Sequence, residues 1–175
     1  MSVLKVELVK GETRRYRSFL HRGDGVTVEL EGGSYNEVGG RHREVPHDLA
    51  HLVVEDELDL AMGVWGVLAN GGLFRLATVV GGRQKPHAAA RAEAVTKGAT
   101  ESLNQAEMLV GAICAQAAAD RIDPRALRAE LGERWSTPAI AAAPLERIQR
   151  RLREGSRSWA ALRPGEGLQL GWRER

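Results

Sequence analysis

The sequence predicts an α+β fold: a small antiparallel sheet, made of an N-terminal meander plus a C-terminal strand, packed with segregated helices. Three observations carry this expectation. Apolar and polar residues alternate through the first third of the chain, helical spacing takes over from residue 46, and alternation returns at residues 166–174. With 175 residues, 43% of them apolar, the chain has material for one hydrophobic core, so a single domain over residues 1–175 is the simplest division.

The meander comes first. VLKVELV (3–9), RYRSFL (15–20) and GVTVELEG (25–32) alternate, and GET and HRGDG between them supply turn residues. The outward positions Lys5, Glu7, Arg15, Arg17, Thr27 and Glu29 are mostly charged or hydroxylic, so one face of the sheet is expected to be wet. GGSYNEVGGRHRE (32–44) carries four glycines without periodicity and reads as a loop.

The helical part opens at Pro46, which suits a first helical position, with Glu44 and Asp48 near the positive end of a helix over about 46–59. MGVWGVLANGGLF (62–74) predicts a short buried helix stopped by Gly71 and Gly72, and LFRLATVV (73–80) fits a strand or a loop equally well. Residues 86–120 are Ala-rich with helical spacing, divided by Thr100 as an N-cap. Asp123 before Pro124 opens a helix over 124–134, and Pro144 opens another at LERIQRRLREG. WSTPAIAAAP (135–144) reads as an exposed connector, and EGLQLGWRE (166–174) as a strand returning to the N-terminal sheet.

Charge and cysteine content narrow the function classes. Against 23 acidic residues stand 25 basic ones, a net charge of +2, so nothing in the balance demands nucleic acid or an anionic membrane as partner. The basic residues comprise 21 Arg and 4 Lys, the bias expected of a GC-rich bacterial genome. The single cysteine, Cys114, excludes an internal disulfide and a multi-thiolate metal site, and its apolar helical context reads as a buried thiol. MSVLKVELVKGE alternates where a secretory signal needs a continuous apolar run, and no stretch approaches the ~20 apolar residues of a membrane span. A cytoplasmic location is expected.

The segment VPHDLAHLVVEDEL (45–58) carries the one site worth arguing. At 100° per residue, with His47 at zero, His51 lies near ~40°, Glu55 near ~80°, Asp48 near ~100° and Asp59 near ~120°. Leu49, Ala50, Leu52, Val53 and Val54 take the opposite sector, and Asp56 and Glu57 interrupt it at the far end. Two histidines four apart can aim both rings at one ion. HDLAH is similar in histidine spacing to the H-E-x-x-H zinc clamp of the zincins. It departs where Asp48 replaces the glutamate, one methylene shorter, and where LVVEDEL follows in place of a metzincin-type extension. The expectation is a divalent metal such as zinc held by His47 and His51. Glu55 would be third ligand or orienter and Asp48 outer partner or catalytic base. Glu44, Asp24, His42, His21 and His87 are alternatives for completing the shell. The plainer reading is a solvated helix face, since His beside acid at i+4 needs no metal.

Other features point less far. GGSYNEVGG lacks the G-x-x-x-x-G-K-[ST] arrangement that cradles phosphate. Arg147, Arg150, Arg151, Arg153, Arg157 and Arg163 form a basic cluster diluted by Glu146 and Glu154, the pattern of a solvated helix face. Trp65, Trp135, Trp159 and Trp172 read as core or interface anchors, and Ser34, Ser102, Ser136 and Cys114 lack a nucleophile context. The run from GGSYNEVGG through PHDLAHLVVEDEL to GVWGVLANGGLF, residues 32–74, resembles uncharacterised bacterial hypothetical proteins. That resemblance implies no activity and lends no residue a role. Two functions of different class follow: a metal-binding protein with hydrolase-like chemistry, or a noncatalytic protein that self-associates or docks a partner through its Ala-rich helices.

Overall fold

Alternation in the first third does build a sheet. The computed structural model describes residues 2–134 and 140–174. In chain order its elements are β1 (Val3–Lys10), β2 (Tyr16–His21), β3 (Thr27–Gly32), β4 (Tyr35–Gly39), β5 (Arg43–Pro46), α1 (His47–Glu57), α2 (Val64–Ala69) and β6 (Ala77–Gly81). They continue as α3 (Ala88–Gly98), α4 (Thr100–Ala118), α5 (Pro124–Leu131), a 3₁₀ turn at Gly132–Arg134, α6 (Ala142–Ala161) and β7 (Gly167–Arg173). The main sheet has the order β6-β3-β2-β1-β7 with antiparallel neighbours throughout. An α+β fold is therefore what the chain adopts, and the C-terminal strand returns to the N-terminal one, from Val3 opposite Arg173 to Val9 opposite Gly167.

Register explains the core. Val6 lies opposite Leu20, and Leu20 opposite Val28, so buried side chains form a continuous row across three strands. The intervening Lys5 and Arg17 are exposed, as alternation requires. The buried row is continuous with the apolar residues of α1, α4 and α6 in one core. Trp172 on β7 and Trp159 on α6 belong to it, as does Trp65 on α2. Cys114 is buried, and burial pushes its thiol up to about 12.

Two expectations are corrected. The glycine-rich segment 32–44 is not a loop: β4 and β5 pair as a two-stranded antiparallel hairpin. Its apolar contributions, Tyr35, Val38 and Val45, do not alternate in sequence because the register shifts between Glu37 and Gly39. Gly39 has φ +71°, and a Cβ there would lie 2.6 Å from the carbonyl oxygen of Ala117, so glycine lets the hairpin lie against α4. The second correction concerns α1. Its polar stripe is mostly dry, because α1 packs against α2, α4, α6 and β7 and every residue from Asp48 to Asp56 is buried, leaving His47 part-exposed at the start and Asp59 exposed beyond the end. The one-sided wheel fails for a helix covered on most of its circumference.

Smaller points follow from capping. Asp123 caps α5 through its side chain, accepting from the Arg125 N–H at 2.8 Å. Thr100 marks the start of α4 but donates its hydroxyl to the Lys97 carbonyl, and the N-cap itself is Ala99, which makes no side-chain cap bond. LFRLATVV yields the edge strand β6. Of the connector 135–144, residues 135–139, with Trp135 and Ser136, lie outside the described residues. Among the described residues no helix is long and apolar enough to cross a membrane.

Candidate metal centre

Pro46 ends β5 and serves as the N-cap of α1, so the helix begins at His47, one turn before His51. Their rings meet edge to face, with centroids 4.5 Å apart and planes at 68°. The third member is Glu107, about two turns into α4. Its Oε2 lies 3.4 Å from Nε2 of His47 and 3.3 Å from Nε2 of His51. One ligand atom from each of the three residues falls within 4.8 Å of the others.

What lies behind the rings fixes which nitrogens face the cluster. His51 Nδ1 is 2.9 Å from Oε1 of Glu55. Glu55 also accepts from the backbone N–H of Val64 at 2.7 Å and of Trp65 at 3.1 Å. A carboxylate receiving three donors is an acceptor throughout, so His51 carries its proton on Nδ1. Likewise His47 Nδ1 is 2.8 Å from Oδ1 of Asn36 on β4, an acceptor that places that ring's proton on Nδ1. With those tautomers, each ring in its neutral form turns an Nε2 lone pair toward the Glu107 carboxylate. His51 Nε2 is buried and makes no well-directed hydrogen bond, although Glu107 is within ion-pair range.

Three acceptors meeting without a donor repel one another unless a positive charge joins them. A metal-free chain supplies a proton. Burial opposes protonation of His51, but Glu107 and Glu55 outweigh it and raise the imidazole from 6.5 to about 9. The same contacts hold the Glu107 carboxyl well below the usual carboxylate range, His47 and His51 being the principal causes. His51 and Glu55 are fully buried, whereas the His47 and Glu107 side chains are 31% and 52% exposed. The cluster is thus sealed on one side and open on the other.

The predicted residues divide accordingly. His47 and His51 come together. Glu55 stands behind His51, its oxygens occupied by the ring and by the start of α2, in the place of an orienter. Gly63 allows this, since a Cβ there would lie 2.3 Å from the Glu55 carboxyl carbon. Asp48 turns to the sheet, where Ser18 donates to its Oδ2 at 2.6 Å, while its backbone N–H donates to the Tyr16 hydroxyl at 3.3 Å. Burial pushes the Asp48 carboxyl up against the opposing pull of that Ser18 bond. Asp59 lies beyond the helix, with φ +54°. Sequence reasoning missed Glu107 and Asn36. Glu107 gives only the signal of an acid bordering the apolar face of α4, next to buried Ala106. Asn36 lies in the segment read as a loop.

Asp24, Glu44 and His21 engage elsewhere. Asp24 pairs with Arg22, Glu44 with Arg14, and His21 Nδ1 with the Thr27 hydroxyl. No protein-family model matches the chain, and comparison with curated proteins and with solved structures finds no match.

Proposed function

We propose that this protein binds a divalent metal ion, such as zinc or iron(II), through Nε2 of His47, Nε2 of His51 and the carboxylate of Glu107. One observation carries the reading: three acceptor atoms face a common point, and the outer nitrogens of both rings are already committed to Glu55 and Asn36. Carboxylate and amide partners of this kind fix ring tautomer and orientation for a metal. Two imidazoles and a carboxylate are a donor set suited to zinc or non-haem iron. Hydrolysis by a metal-activated water is the reaction class that set serves. In this reading Glu55 orients His51, and Asp48, engaged with Ser18, steadies the first turn of α1.

The test is metal uptake by protein purified without a histidine tag, followed by zinc titration in a calorimeter. One ion per chain is expected, with uptake lost in His47→Ala and Glu107→Gln, both at part-exposed positions, and with circular dichroism checking that each variant is folded. Failure of the folded native protein to take up stoichiometric zinc, iron(II), manganese or nickel overturns the reading.

The alternative of self-association draws support from one helix. α4 commits Leu109, Val110, Ile113 and Ala117 to the core, whereas α3 has Ala92 as its buried residue and leaves its other alanines outside. Sedimentation showing a monomer at high concentration removes this second reading.

A further inference from the structure

We infer that the ion held at this centre keeps a coordination position open to solvent, and that the position accepts water or a small anionic oxygen or nitrogen donor. The inference rests on the metal reading above and adds to it the kind of molecule the ion would meet.

The arrangement of exposure argues for this. His51 is fully buried, so it closes the inner side, while His47 and Glu107 keep 31% and 52% of their side-chain surface. An ion touching all three sits at the boundary between core and solvent. Among the described residues the group of His, Cys, Asp and Glu donors stops at these three, short of the four that a closed tetrahedral site uses. The neighbouring side chains that could have turned inward are occupied. Asn36 accepts from His47, Glu55 accepts from His51 and α2, and Asp48 accepts from Ser18. Closed shells are the mark of structural zinc, and three protein ligands plus an exchangeable position the mark of a reactive one. The inner shell sums to one net positive charge, since a divalent ion outweighs the single carboxylate of Glu107, so the ion can take an anion as well as water, although the Glu55 carboxylate behind His51 offsets part of that attraction.

The experiment loads the native protein with cobalt(II) and follows its visible absorption while sodium azide is added. Stoichiometric cobalt with bands of a four- or five-coordinate ion, shifting saturably with azide, is the expected result. Glu107→Gln should weaken cobalt uptake, and the azide-induced shift should go with it. Cobalt bound at one per chain with a spectrum indifferent to azide would overturn the open position and leave the metal reading intact. Failure to bind cobalt, zinc, iron(II), manganese or nickel removes both.

Discussion

Glu55 serves two structures with the same pair of oxygens, the ring of His51 and the first N–H groups of α2. Glu55→Gln should therefore be costly despite its similar shape, because an amide NH₂ meets one of three donors. Metal affinity should fall by about 10- to 100-fold, as measured by competition with a chelator. Stability should fall by about 1–3 kcal/mol in urea melts, the range for a buried donor left without an acceptor. Gly63→Ala makes the same point from the other side. Its methyl would enter the space of the Glu55 carboxyl, and a loss of about 1–3 kcal/mol is expected in the same melts. At this scale the sequence was half legible. The i, i+4 spacing announces His47 and His51, since one helix sets their geometry. Glu107 and Asn36 reach the cluster from α4 and β4, and no local pattern encodes contacts that only tertiary packing creates.

Elements were legible where one physical cause dominated. Alternation gave β1, β2, β3 and β7, and the Asp123–Pro124 pair gave the start of α5. Asp123→Ala should cost about 1 kcal/mol by removal of the cap, seen as a lowered denaturation midpoint. The β4–β5 hairpin was hidden because its strands are short and its register shifts, so the period never establishes itself. The burial of α1 was hidden for a different reason. Its acidic residues look solvated, yet Asp56 is bound by Arg151 and Arg173, and Glu57 by Arg147 and Arg151, from α6 and β7. Arg147 and Arg151 belong to the set that the sequence offered as a solvated basic face. Pairing with a helix remote in sequence is what turns a charged stretch into a buried one, and it leaves no periodic trace.

For the molecule as a whole, the raised His51 and lowered Glu107 make stability depend on pH. A histidine whose folded value stands above its unfolded value of 6.5 stabilises fully below 6.5, and the gain is lost as pH rises toward about 9. A carboxylate held below its unfolded value of 4.5 stabilises above 4.5, and the gain disappears as pH falls further. Metal-free protein should therefore show a falling urea midpoint between pH 6.5 and 9, and Glu107→Gln should flatten that decline. Saturating zinc should flatten it too, because the ion replaces the proton that alkali removes. A midpoint constant over this range in the metal-free native protein would show that the cluster does not couple to folding.

The pairing of β1 with β7 has one more implication. A ribosome releases β1 before any other strand described here and β7 after all of them, so one border of the main sheet lacks its neighbour until β7 has been made. Meanwhile Val6 and Leu8 present an unpaired backbone to whatever else the cell contains, a hazard for sheet edges. Folding of this domain thus waits on two strands remote in sequence finding each other, and the slow search that distant pairing imposes should set its pace.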